Sequence, residues 1–211
     1  MHEVKEHTEF FTRMIKSMTI AYDGVLPTAD KIIAQLGGRQ SYIGIHVRVS
    51  DGFFSENSVA NIKKIVQQVN DFVKSSESSL ETSPTSTDFS TTNECLTKYT
   101  NSTNMPLIYM ATDLHRTRSD EFYSLLYEAF PCIAVLDDFI PLLSELNGIV
   151  NNVDKMPMKK FLIPLVDMVV AAKGKKFVGT ARSTYSNFAY RLHKIYIERM
   201  AKFEDSKVYA G

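Results

Sequence analysis

The ten residues from Tyr42 to Asp51, Tyr-Ile-Gly-Ile-His-Val-Arg-Val-Ser-Asp, constrain the fold more than any other segment. The segment begins as an apolar, β-branched run, which is typical of a buried strand. It ends in His46, Arg48 and Asp51, and the two-residue period of a strand would place His46 and Arg48 on one face. Because open α/β sheets bind ligands at the carboxyl ends of their strands, the segment predicts a strand that leads into an anion or nucleotide site.

Strand and helix patterns alternate along the rest of the chain. Short apolar runs predict three more strands, at residues 106–111, 131–136 and 176–180. Apolar residues recur at helical spacing in four segments, at residues 59–73, 119–130, 158–172 and 187–202. Residues 52–54 are expected to form a loop, and residues 140–146 a short turn of helix. Alternation of this kind favours an α/β fold, a mostly parallel sheet with helices on both faces.

Two helices are predicted before the first strand. Residues 3–20 show an amphipathic pattern, and a second helix is expected to open at Pro27 and to stop at Gly37 and Gly38. The expected organisation is N-terminal helices in residues 1–40, a domain in residues 41–203, and a tail in residues 204–211.

Residues 75–104 differ in composition from their surroundings. They are rich in Ser, Thr and Asn, which is typical of a flexible insertion. Asn101-Ser-Thr is a glycosylation sequon, which matters only in the secretory pathway. The two cysteines, Cys95 and Cys132, form no metal pattern, and either one disulfide or two free thiols fits the sequence.

The composition excludes some classes of partner. Lys and Arg number 24 and Asp and Glu number 24, so the net charge of zero does not indicate bulk nucleic-acid binding. No apolar run approaches the roughly 20 residues that a membrane-spanning helix needs. We therefore expect no nucleic-acid partner and no membrane span in this chain.

Polar clusters follow each predicted strand. Beyond the first, they are Thr112/Asp113, Asp137/Asp138 and Ser183/Thr184/Ser186. Because the carboxyl ends of parallel strands share one edge, these clusters are expected to converge with His46 and Arg48.

Two of these features have alternative interpretations. Ser183 and Thr184 are either N-caps of the last helix or, with the free N–H groups of that helix, a phosphate site. Asp167 lies within an apolar helical segment and needs a partner there. That partner is a lysine, a loop that the carboxylate caps, or a donor edge such as that of guanine.

Several common site motifs are absent from the sequence. No dinucleotide-binding Gly-x-Gly-x-x-Gly, Walker A loop or Gly-x-Ser-x-Gly occurs. There is neither an Asp-x-Asp pair after a strand nor a His/Cys cluster with metal spacing, so no metal or other cofactor is predicted.

The residues at the strand ends resemble the motifs of a known enzyme family. The segment 44–51, Gly-Ile-His-Val-Arg-Val-Ser-Asp, resembles the His-x-Arg-x-x-Asp motif of the GDP-fucose-dependent fucosyltransferases, which include protein O-fucosyltransferases and core α1,6-fucosyltransferases. The segment 108–113, Ile-Tyr-Met-Ala-Thr-Asp, is similar to a second motif. The segment 177–188 is similar to a third, in which a Ser-Thr-Phe-Ser run holds the diphosphate, and Asp167 falls where the family keeps a guanine-reading carboxylate.

The resemblance covers residues 40–202 and implies a Rossmann-like parallel sheet, the C-terminal, nucleotide-binding half of a GT-B glycosyltransferase. Such an enzyme inverts the anomeric carbon without a metal and transfers fucose from GDP-fucose to a protein or glycan acceptor. The catalytic residue implied is Arg48, which would stabilise the departing GDP. The donor-binding residues implied are His46, Asp51, Asp113, Asp167, Ser183, Thr184, Tyr185 and Ser186.

The resemblance also sets the expected location and the alternatives. Animal members of the family work in the lumen of the endoplasmic reticulum or Golgi. Residues 1–38 can supply helices but no second sheet, so the chain is expected to be a donor-binding half or fragment. Leu114 and Gly52 differ from the core α1,6 pattern. The alternatives are a non-catalytic nucleotide-binding or interaction module and an unrelated phosphate-binding hydrolase.

Overall fold

The structure is a computed structural model of the chain. It describes residues 20, 22, 24–76, 106–114 and 117–208. All but the last residue of the helix predicted at residues 3–20, and nearly all of the insertion predicted at residues 75–104, lie outside the described residues. Ser75 and Ser76, the first two residues of that predicted insertion, belong instead to the last turn of a helix.

The described residues contain a four-stranded, all-parallel sheet with the strand order β3-β2-β1-β4. The strands are β1 (Ile43–Val47), β2 (Ile108–Thr112), β3 (Ile133–Val135) and β4 (Lys176–Gly179). The predicted α/β class and parallel sheet are therefore confirmed.

Helices alternate with these strands and flank the sheet. They are α1 (Val25–Gln35), α2 (Gly52–Glu56), α3 (Ser58–Ser76), α4 (Ser124–Ala129), α5 (Lys159–Ala172) and α6 (Thr184–Val208). Three 3₁₀ segments complete the order, at Thr117–Ser119, Glu121–Tyr123 and Leu136–Leu146.

Each face of the sheet has its own hydrophobic core. The core that includes Tyr109 and Ala111 of β2 is completed by α1, α5 and α6. Ile108 and Met110, the alternate residues of the same strand, pack instead with residues of α3 and α4. This alternation explains why the strands are apolar throughout, because both faces of the sheet are covered.

Glycines allow two features that other residues would prevent. Gly37 and Gly38 have φ of 90° and 101° and end α1, as predicted. A Cβ added to Gly44 would lie 1.9 Å from the carbonyl oxygen of Ala171, so β1 packs against α5 at a distance that only glycine permits.

Several predicted boundaries are wrong. Residues 52–54, predicted as a loop, belong to α2, and α1 begins at Val25 rather than at Pro27. The helix predicted at residues 119–130 is interrupted because a carboxylate oxygen of Asp120 accepts the N–H of Phe122 and starts a new turn.

Two further segments are longer than predicted. The short turn expected at residues 140–146 is a 3₁₀ segment that spans Leu136–Leu146. The last helix begins at Thr184, three residues before the predicted start, and it continues to Val208 through most of the expected tail.

Candidate functional site

A cavity of about 590 Å³ lies at the carboxyl ends of the central strands. Its polar wall consists of His46, Arg48, Thr112, Asp113, Asp137, Lys159, Asp167 and Tyr185. Residues from β1, β2, the turn after β3, α5 and the start of α6 thus meet at one edge of the sheet. The structure thus brings together residues of the first three predicted clusters, with Tyr185 from the start of α6, while their roles remain predictions.

Arg48 lies just beyond the end of β1 and is held on several sides. Its backbone N–H donates to Oγ1 of Thr180, at 2.9 Å, which ties β1 to the turn after β4. Its Nη2 lies 2.5 Å from Oδ2 of Asp51. Its Nε lies 3.4 Å from Oδ2 of Asp113 but is not aligned for a hydrogen bond, and this buried donor has no acceptor among the described residues. About a third of the Arg48 side chain is exposed and it lines the cavity, so its guanidinium lies within reach of a ligand.

Asp113 organises the loop that carries Arg48. Its carboxylate accepts the backbone N–H groups of Val49 and Ser50, at 3.1 and 3.2 Å, and the hydroxyl of Ser50. Burial raises the pKa of Asp113, but these hydrogen bonds outweigh burial and hold the pKa below its usual value. The ionised carboxylate therefore stabilises the loop between β1 and α2.

His46 is buried, with 3% of its surface exposed, and it contacts the start of α6. Its Nδ1 lies 2.6 Å from Oγ of Ser186, and its ring stacks on the ring of Tyr185 with centroids 4.3 Å apart. Burial lowers the pKa of His46 to about 4. The imidazole is therefore neutral near pH 7 and acts by packing and hydrogen bonding rather than by charge.

The predicted hydroxyl cluster divides into separate roles. Oγ of Ser183 accepts the N–H of Ser186, at 3.2 Å, so Ser183 caps α6, the first of the two interpretations given above. Ser186 contacts His46, Thr184 is exposed, and Tyr185 alone contributes to the cavity wall described above. Asp51 is largely exposed and meets the site through its ion pair with Arg48.

Asp167 is a buried carboxylate on the cavity wall, with 7% of its surface exposed. Its Oδ1 accepts the hydroxyl of Tyr109, at 2.7 Å, and none of the described lysines pairs with it. Burial raises the pKa of Asp167 to about 7, despite the hydrogen bonds from Tyr109 and from the backbone of Thr112. The nearby carboxylate of Asp137 raises it further. A carboxylate poised in this way suits a ligand edge that carries N–H donors.

Two site residues were not predicted from the sequence. Lys159 lines the cavity, and its Nζ donates to Oδ1 of Asn147, at 2.7 Å. The sequence carried a signal for it, because Lys159, Ile163 and Asp167 follow each other at four-residue spacing and so share one face of α5. Tyr109 is the second, and its role depends on a contact between β2 and α5 that the sequence does not display.

Asp138, which was predicted to lie at the site, does not line the cavity. Both of its carboxylate oxygens accept hydrogen bonds from Nη2 of Arg118, at 3.0 and 2.8 Å. Its Oδ2 also accepts a hydrogen bond from the backbone N–H of Val135. Asp138 therefore caps the end of β3, while its neighbour Asp137 lines the cavity.

The cavity has a mixed character. Arg48 and Lys159 supply cations, while Asp113, Asp137 and Asp167 supply acceptors. Apolar side chains form the remainder, among them Met110, Val135, Leu136, Ile140 and Ile163. Such a wall suits a ligand that combines a flat apolar ring, N–H donors and an anionic group.

In the described part of the chain, no group of three or more His, Cys, Asp or Glu side chains is placed to hold a metal ion. None of the described helices is long and apolar enough to cross a membrane. Cys132, next to β3, is disulfide-bonded, which resolves the alternative left open by the sequence. The only other cysteine, Cys95, lies outside the described residues.

The fold and the cavity define an α/β protein with a parallel, Rossmann-like sheet and a candidate ligand site at the strand ends. No protein-family model matches the chain, and no curated protein matches it significantly. A function is therefore inferred from the cavity and from the motif resemblance.

Proposed function

We propose that this chain is the donor-binding half of a metal-independent, inverting fucosyltransferase that transfers fucose from GDP-fucose to a protein or glycan hydroxyl. The observation that carries the proposal is that Arg48 and Asp167, far apart in sequence, line the same cavity of about 590 Å³. A nucleoside diphosphate needs an anion-binding group at one end and a base-reading group at the other, and these two residues supply them.

Asp167 is the proposed reader of the base. The Watson–Crick edge of guanine carries two adjacent N–H donors, which match the two oxygens of one carboxylate. Tyr109 already donates to Oδ1 of Asp167, so the hydrogen bond fixes the carboxylate while leaving it further acceptor capacity. Apolar neighbours such as Ile163 and Met110 would pack on the purine ring.

Arg48 is the proposed group that stabilises the leaving diphosphate. When the bond between fucose and phosphate breaks, negative charge builds on the departing GDP. A prearranged donor at that position contributes roughly 3–4 kcal/mol to the transition state. The guanidinium of Arg48 on the cavity wall and the N–H groups at the start of α6, where Tyr185 lies, are the proposed donors of this kind.

Two features support a location in the secretory pathway. Disulfides persist in oxidising compartments, and Cys132 is disulfide-bonded. The sequon at Asn101 is compatible with the same location. Both features agree with the endoplasmic reticulum or Golgi lumen that the resemblance implies.

A non-catalytic nucleotide-binding module is the second candidate. It is favoured by one observation, that the described residues form a single four-stranded sheet. The family that the motifs resemble works in a cleft between two Rossmann-like halves. A module of this kind would bind GDP without transferring a sugar.

Calorimetric titration of the folded chain with GDP and GDP-fucose tests the proposal, with ADP as the control for base recognition. We expect GDP and GDP-fucose to bind at least tenfold more tightly than ADP, because adenine lacks the donor pair that Asp167 accepts. Absence of GDP binding at millimolar concentration would overturn the proposal.

An assay of fucose transfer then separates the two candidates. Arg48→Gln should abolish transfer in an enzyme, and Arg191→Gln on the exposed face of α6 is the matched control. GDP binding without transfer by the unmodified chain, with candidate acceptors present, would favour the non-catalytic module.

A further inference from the structure

Two adjacent aromatic rings on α2 each contact the guanidinium group of an arginine. The rings of Phe53 and Phe54 meet edge to face with centroids 5.7 Å apart. The guanidinium carbon of Arg48 lies 5.5 Å from the centre of the Phe54 ring, and that of Arg182 lies 5.3 Å from the centre of the Phe53 ring. Phe53 is 48% exposed. The pair of rings therefore contacts two arginines, of which Arg48 lines the candidate site.

Arg182 lies in a position that is unfavourable for an arginine. Its φ of 66° is in the left-handed region, which costs a non-glycine residue energy. It immediately precedes the N-cap of α6, where the helix dipole opposes a positive charge. Among the described residues, no carboxylate pairs with it. These costs are understandable if an anion binds to Arg182.

Arg48 and Arg182 follow the neighbouring strands β1 and β4. One hydrogen bond ties the two strand ends together, because the backbone N–H of Arg48 donates to Oγ1 of Thr180, two residues before Arg182, at 2.9 Å. Arg48 lines the cavity with about a third of its side chain exposed, and Arg182 is exposed as well. Both arginines therefore have hydrogen-bonding capacity left over, and the contacts with Phe53 and Phe54 limit the rotamers in which they offer it.

We propose that Phe53 and Phe54 are positioning residues that hold Arg48 and Arg182 as the two halves of a clamp for a diphosphate. The inference rests on the proposed function, in that the diphosphate is taken to be that of the sugar nucleotide. Arg182 contacts the anion directly, while the two rings act through the arginines. A guanidinium binds phosphate oxygens bidentately, so its orientation matters as well as its charge.

The test measures binding of inorganic pyrophosphate, GDP and guanosine by calorimetry at fixed ionic strength. We expect Phe53→Leu and Arg182→Gln each to weaken pyrophosphate and GDP binding about three- to tenfold, while guanosine binding is unchanged. Phe53→Tyr keeps an aromatic face and should restore the affinity. The control is Phe161→Leu, which removes an exposed ring under Lys160 on another helix and should have no effect.

The double variant Phe53→Leu/Arg182→Gln identifies how the ring acts. If Phe53 acts through Arg182, the double variant is no weaker than Arg182→Gln alone. Additive losses, or unchanged pyrophosphate affinity in both single variants, would overturn the clamp while leaving nucleotide binding by Asp167 intact. Pyrophosphate binding that depends on Arg48 and Arg182 without any GDP preference would instead support the clamp and contradict the proposed function.

Discussion

The hydroxyl of Tyr109 donates a hydrogen bond of 2.7 Å to Oδ1 of Asp167, and both side chains are buried. The bond joins the middle of β2 to the apolar helix α5. It explains how a carboxylate is tolerated there, because a buried polar group needs a partner. Each carboxylate oxygen can accept more than one hydrogen bond, so acceptor capacity remains for a ligand in the cavity.

Nucleotide affinity should depend on pH through Asp167. The ionised carboxylate accepts the donors of guanine, and burial raises the pKa of Asp167 to about 7. Raising the pH from 6 to 8 therefore increases the ionised fraction, and GDP should bind up to about tenfold more tightly at pH 8. Calorimetry of GDP binding across this range measures the effect, and ionisation of the second phosphate group of GDP is corrected for with ADP.

Tyr109→Phe is the control for this dependence. The hydroxyl of Tyr109 lowers the pKa of Asp167 by its hydrogen bond, so its removal should move the midpoint of the affinity curve to higher pH. A GDP affinity that is flat between pH 6 and 8, after the correction, would contradict the assignment of Asp167.

Asp167 should also lower the stability of the ligand-free chain at high pH. Because the folded-state pKa of Asp167 is raised from 3.8 to about 7, its contribution is most favourable below pH 4 and is lost as the pH rises to about 7. Asp167→Asn should therefore raise the free energy of unfolding at pH 8 by about 2–4 kcal/mol and change it little at pH 4.

Urea unfolding with the disulfide kept oxidised measures this difference. The amide oxygen can still accept from Tyr109, so the packing should survive. The variant should gain stability and lose GDP binding together, which is the expected sign of a residue kept for function. Destabilisation at pH 8 would show that the buried charge has a stabilising partner.

The sequence was sufficient to predict those site residues whose positions depend on a single strand or helix. The end of β1 delivers His46 and Arg48 together because a strand alternates with period two, and parallel pairing brings Asp113 to the same edge. Lys159 could have been found in the same way, since it shares a helical face with Asp167.

The remaining features depend on contacts between elements that no local pattern records. The pairing of Tyr109 with Asp167 requires the packing of β2 against α5. The contact of Arg182 with Phe53 requires a helix at residues 52–56, where glycine and two aromatics predicted a loop. Propensity is a weak guide for such short helices, because tertiary packing decides them.

Gly44 should be essential for folding although it lies outside the site. A Cβ at this position would meet the carbonyl oxygen of Ala171 at 1.9 Å, so β1 and α5 would have to separate. We expect Gly44→Ala to lower the free energy of unfolding by about 3 kcal/mol or more, or to prevent folding. Gly148→Ala is the control, because a Cβ there meets no atom of the described residues within 4 Å. Equal thermal stability of the two variants would show that β1 and α5 are farther apart.

Lys159 should contribute to nucleotide binding, whereas its neighbour Lys160 should not. Lys159 lines the cavity and is one of two cations on the wall, while Nζ of Lys160 lies 5.0 Å from the centre of the exposed Phe161 ring. Lys159→Gln should weaken GDP binding about three- to tenfold at low salt, because a charge beside the phosphates is removed, and Lys160→Gln should leave it unchanged.

The salt dependence of GDP binding distinguishes an effect of the Lys159 charge from an effect of its contacts. The difference between Lys159→Gln and the unmodified chain should shrink as ionic strength rises from about 0.05 to 0.5 M, because partly exposed charges are screened. Nζ of Lys159 also holds Asn147, at 2.7 Å, and this contact would be lost at every ionic strength. A loss of GDP affinity that is constant with salt would therefore assign Lys159 to the support of the loop at Asn147 rather than to the ligand.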